Sequence, residues 1–98
     1  MNDIGVKRVC AVTFIQAFKD WERLCDLLAQ GRIIDNNGIT MRGPKSTAGF
    51  NVPRFGFGEI ENFIRANAEL WVDMDPELIM IQLYRIRRRA VAKARALH

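Results

Sequence analysis

At 98 residues and 49% apolar composition the chain is sized for one small domain, 1–98, with a modest core, and it has no run near the roughly 18 apolar residues that a membrane span needs. The opening Met1-Asn2-Asp3-Ile4 lacks the apolar run of a signal peptide, so a cytoplasmic protein with no membrane partner is expected. The net charge of +4 hides an uneven distribution: residues 1–35 are balanced, 36–58 carry +3, 59–77 carry −5 and 78–98 carry +6.

Residues 4–9 are rich in β-branched side chains and fit either a short strand or a backward extension of the helix that follows. That helix is predicted over about 13–30, because Phe14, Phe18, Trp21, Cys25 and Leu28 recur at steps of three and four. Thr13 and Gln16 suit a capping box at its start, and Gly31 suits its stop. Cys10 and Cys25 lack CxxC spacing and a second pair, so they read as buried, reduced thiols.

Two β-branched runs then flank Asn37-Gly38, a pair that tolerates the positive φ of a tight turn, which predicts a hairpin over about 32–42. Residues 43–58 contain Gly43, Pro44, Gly49, Pro53, Gly56 and Gly58 and are expected to form a long Gly/Pro loop. Phe50, Phe55 and Phe57 alternate there with Lys45 and Arg54, a mixture that can stack bases while holding phosphates. The competing and favoured reading folds these rings onto the core.

Ile60, Phe63, Ile64, Ala68 and Trp71 predict a second helix over about 59–71. Asp75-Pro76-Glu77 then supplies an N-cap, a proline at the first helical position and an acid in the first turn, the start of a third helix over 76–96. The fold class expected is therefore α+β, mainly α-helical.

The third helix carries the functional expectation. Ile79, Leu83, Ile86, Ala90, Ala94 and Leu97 would form an apolar stripe, with Arg85, Arg88, Arg89, Lys93 and Arg95 opposite it and Arg87 at the border. Complementing a helix dipole takes one or two cations in the last turn, and this helix has six over three turns with no interleaved acid. The expectation is a small non-enzymatic nucleic-acid-binding protein or regulator, contacting DNA or RNA phosphates through these five residues together with Lys45 and Arg54. The alternative is an adaptor, assembly or inhibitor protein that docks on an acidic protein surface or on its own copies, with Trp71, Asp73 and Asp75 as contact residues.

Other chemistry finds no residues to carry it. Gly38–Ser46 has the outline of a phosphate loop, but Pro44 removes a donor and no helix is expected at Lys45. His98 is the only histidine and Ser46 the only serine, without an activating partner in the sequence. Glu59 and Glu61 fall on different helix faces, and Asp73, Asp75 and Glu77 lack the glycine and later glutamate of a calcium loop. No catalytic residue, metal, cofactor or small-molecule substrate is expected.

Leu24, Leu27, Leu28, Gly31, Arg32 and Ile33, then the hairpin and Val52-Pro53 before Ile60, Phe63 and Ile64, loosely resemble the small winged-helix excisionases and related regulators of mobile elements. The resemblance implies a recognition helix ending near Gly31 and a hairpin wing on DNA. The sequence departs from that pattern near Phe18–Asp20, where an unbroken apolar seam replaces the expected helix-turn-helix corner.

Overall fold

A computed structural model describes residues 3–97, with the backbone alone described for 3–11 and 70–72. Within them lie helix α1 (Asp3–Ala29), strands β1 (Ile33–Asn36) and β2 (Ile39–Arg42), helix α2 (Phe57–Val72) and helix α3 (Pro76–Arg95). This is the mainly helical α+β fold expected. No described helix is long and apolar enough to cross a membrane.

The first helix differs most from its expectation. It is continuous from Asp3, so residues 4–9 are its beginning and Thr13 and Gln16 lie inside it, where no capping box can form. Gln16 instead donates from Nε2 to Asp20 one turn on (2.9 Å). The helix also runs unbroken through Phe18–Asp20, so the corner implied by the winged-helix resemblance is not there. Its end is as expected: Gly31 adopts φ +75°, and the Gly31 and Arg32 N–H groups close back on the Leu28 and Leu27 carbonyls.

The hairpin follows its turn chemistry. Asn37 and Gly38 hold φ values of 53° and 89°, the positive pair of a two-residue type I′ turn, and the Asp35 carboxylate accepts the Gly38 N–H (2.9 Å). Ile33 pairs with Arg42 and Asn36 with Ile39 in antiparallel register. The turn lies on the first residues of α2, where the Gly58 N–H donates to the Gly38 carbonyl. A Cβ on Gly56 would come within 2.8 Å of both the Gly38 carbonyl oxygen and the Thr40 hydroxyl. The glycine at 56 thus reflects a close approach of two backbones.

α2 begins at Phe57, two residues earlier than expected, because Phe57 belongs to the core. Trp21 is fully buried, meets Phe57 edge-on at 4.7 Å between ring centroids, and donates from its indole N–H to the Leu83 carbonyl of α3 (2.9 Å). Phe14 lies 5.2 Å from Phe63. These contacts, with Leu97 just past α3 beside Gly31 just past α1, set α1 and α3 parallel and α2 antiparallel to both.

The loop over 43–56 is tied down at several points. Arg32 donates to the Ser46 carbonyl and lies 3.9 Å above the Phe50 ring, Lys45 N–H donates to the Gly31 carbonyl, and Arg23 donates to the Asn51 carbonyl. Cys25 is buried in the core, and that burial, with nearby Asp26 adding, pushes its thiol up to about 12. Cys10 and Trp71 have side chains outside the described residues.

Candidate nucleic-acid interface

α3 starts where its sequence demands. Asp75 accepts the Glu77 N–H (3.0 Å), Pro76 occupies the first turn, and alanines in the second half favour the helix. Its inward stripe differs in membership from the expected one. Met80, Leu83 and Ala90 are buried, Ile79, Ile86 and Ala94 are half-buried, and Leu97 is exposed. Met80 replaces Leu97 as a core residue because the buried sector turns toward Tyr84 and Arg87, where α2 and the hairpin pack.

Arg87 sits inside that sector. Its guanidinium is ion-paired with Asp35 of β1, lies 3.7 Å from a Glu61 oxygen of α2 and 5.2 Å from the Phe57 ring centroid. Arg65 of α2 takes up the remaining nearby carboxylates: it pairs with Glu61 (3.0 Å) and Glu77 (2.7 Å) and donates to the Tyr84 hydroxyl (2.9 Å). Its hydrogen bond holds the Glu77 carboxyl below its ordinary range, and the same partners keep the Arg65 guanidinium protonated. Burial pushes the Tyr84 phenol up, with Arg65 opposing and Glu61 adding.

Arg85, Arg88, Arg89, Lys93 and Arg95 are all exposed, and none forms an ion pair with a described residue. The acidic block before α3 therefore does not neutralise them. Within it Glu61 and Glu77 pair with Arg65, and the Asp75 carboxylate caps α3. At about 100° per residue the five cations cover one side of the helix, with Ala92 and Ala96 between them. A shallow concavity of about 380 Å³, lined by Tyr84, Arg87, Arg88, Val91, Ala92 and Arg95, runs along one edge of this face.

The two loop cations separate. Lys45 lies on the part of the loop that passes beside the C-terminal end of α3: its N–H donates to the Gly31 carbonyl, and Pro44 and Leu97 both approach Gly31. Arg42, which the sequence reading did not single out, lines the same concave surface as Lys45. Its signal was available, since it closes β2 opposite Ile33 on an exposed strand end. Arg54 instead lies over Phe55 (5.7 Å), and Phe55 lines a groove between α1 and α2 with Thr13, Asp20 and Glu59. Among the described residues no hydrogen bond or ion pair joins Arg54 to α3.

The rings of the loop divide: Phe57 is fully buried and Phe50 is half-buried against the core, as the favoured reading has it, whereas Phe55 is exposed and does not join them. The phosphate-loop outline also dissolves. Residues 39–42 are strand, and the Gly43 and Lys45 N–H groups are donated to the Arg32 and Gly31 carbonyls. Among the protein-contact residues, Asp75 is the N-cap of α3 and Asp73 is the left-handed C-cap of α2. Among the described residues, no group of three or more His, Cys, Asp or Glu side chains is arranged to hold a metal ion.

Compared with protein families, curated proteins and solved structures, the chain matches none.

Proposed function

We propose that this chain is a small, non-enzymatic, cytoplasmic nucleic-acid-binding protein or regulator that contacts phosphates through the exposed face of α3, with Lys45 at its C-terminal border. The observation that carries this reading is the contrast along one helix. Arg87 is committed to Asp35, while Arg85, Arg88, Arg89, Lys93 and Arg95 are exposed and have no acidic partner among the described residues. Five unneutralised cations on about 15 Å of rigid helix concentrate positive potential where a polyanion can reach it. The test is a gel shift with random DNA and RNA at two salt concentrations, comparing the parent chain with Arg88→Ala/Arg89→Ala. Loss of binding in the double variant is expected, and unchanged binding with an unchanged salt slope contradicts the proposal.

A second reading, self-association, has its own observation. Met74, Leu78 and Ile81 are exposed large apolar side chains at the N-terminal end of α3, next to exposed Asp73 and Asp75. A second copy placed antiparallel would set this acidic end against the basic end of its neighbour. Light scattering separates the readings: a concentration-dependent mass abolished by Leu78→Glu supports self-association, and a constant monomer mass removes it.

A further inference from the structure

The nucleic acid that suits α3 can be specified more closely, on the assumption that the phosphate-binding reading holds. Single strands are bound by a charged track plus aromatic rings on which bases stack. Among the described residues the basic face offers no exposed ring, and Tyr84, which lines the concavity at its edge, is half-buried. Phe14, Trp21 and Phe57 are fully buried, and Phe18, Phe50, Phe63 and Tyr84 are half-buried against the core. The Tyr84 hydroxyl is further held between Arg65 and Glu61. Phe55 is the half-exposed ring, and it lines the groove between α1 and α2 with no contact to α3.

The cations themselves fall into two rows. Wound at about 100° per residue, Arg88 and Arg95 lie on one edge of the exposed face and Arg89 and Lys93 on the other, roughly 120° apart around the axis. The strip between the rows is slim over its C-terminal half, where Ala92 and Ala96 stand, and carries Arg85 at its N-terminal end. One row would serve one backbone, whereas two rows flanking a slim strip match two phosphate backbones on either side of a groove. The B-form major groove, about 12 Å wide, admits a helix of this kind, while the A-form major groove is too narrow and deep to admit it.

We infer that the partner is double-stranded DNA, with the Arg85–Arg95 stretch of α3 seated in the major groove, Arg88 and Arg95 on one backbone and Arg89 and Lys93 on the other. Ala92 then faces the groove floor, and Lys45 lies beside the flanking phosphates at the C-terminal end.

The test is fluorescence anisotropy of the full chain with a short DNA duplex, each of its two separate strands, and the same duplex in RNA. Duplex DNA is expected to bind at least about tenfold more tightly than either strand or the RNA duplex. Ala92→Trp is the paired variant: Ala92 is exposed, so folding is retained by circular dichroism, yet the indole would obstruct the groove and offer a stacking ring. It should weaken duplex DNA binding at least about tenfold and leave single-strand binding unchanged or stronger. Equal binding of all four probes overturns the duplex inference and leaves phosphate binding standing. Tighter single-strand or RNA-duplex binding overturns it as well, and binding to no probe overturns both.

Discussion

Asp35 of β1 uses its two carboxylate oxygens for different tasks: Oδ1 accepts the Gly38 N–H of the hairpin turn and Oδ2 pairs with the Arg87 guanidinium of α3. The turn is thereby fixed and the hairpin fastened to α3 by one side chain that is only 6% exposed. Asp35→Ala is expected to cost about 2–4 kcal/mol, because it removes the turn acceptor and leaves Arg87 without its closest partner. In a thermal melt this lowers Tm by about 10 °C or more. Arg87→Ala should destabilise comparably, and the double variant by clearly less than the sum of the two, since each change already breaks the pair.

The glycines at the hairpin and loop separate steric from conformational demand. Gly56→Ala puts a methyl group 2.8 Å from the Gly38 carbonyl oxygen, a backbone atom that cannot move aside, so a loss of about 2 kcal/mol or more is expected despite an ordinary φ of −85°. Gly49→Ala meets nothing within 4 Å and carries only the strain of φ +82°, about 1 kcal/mol. Urea denaturation of the two variants should rank them in that order.

Cys25 provides a pH test whose sign follows from burial. Its thiol is pushed up to about 12 from an ordinary value of 9.0, so the folded chain holds this proton more tightly than the unfolded chain does. The corresponding stability is complete below about pH 9 and declines as pH rises toward 12. Burial of the Tyr84 phenol acts in the same direction. Urea midpoints should fall between pH 8 and pH 11, and less so in Cys25→Ala. In a Cys10→Ser background the remaining thiol should react with an alkylating reagent at pH 8 only as fast as the chain opens.

Much of this architecture is written in local pattern. The 3.6-residue spacing of Phe14, Phe18, Trp21 and Cys25, the Asn37-Gly38 turn and the Asp75-Pro76-Glu77 start each encode an element in a few neighbouring residues, and each appears in the fold. The early start of α1 is not decided that way, because Ile4, Val6 and Val9 are β-branched and fit a short strand as well as an extension of the helix. The burial of Phe57 follows the reading that folds the loop rings onto the core, but its partner Trp21, 36 positions away, is not legible. The Arg87–Asp35 pair spans 52 positions, and helix spacing, which sets Arg87 at the border of the apolar stripe, does not point to Asp35 as its partner. The outward basic face was legible, since it needs only helix geometry. That its charge has no acidic partner among the described residues is visible only in three dimensions.

The specific cations should differ in their effects on polyanion binding. Lys45→Ala is expected to weaken it by roughly three- to tenfold and to reduce the salt slope by about one, because Lys45 borders α3. Arg54→Ala, over Phe55 and away from α3, should leave both unchanged. Anisotropy titrations of the two variants at matched salt check the pair.

The salt dependence of DNA binding tests the central claim most directly. With five phosphate contacts, four from Arg88, Arg89, Lys93 and Arg95 of α3 and one from Lys45, log K should fall with log salt at a slope of about −4 to −5, a loss of roughly 10²–10³ in affinity between 50 and 200 mM. Arg88→Ala/Arg89→Ala should flatten that slope by about two. A slope near zero, or one that the double variant leaves unchanged, would contradict the assignment of α3 as the phosphate-binding surface.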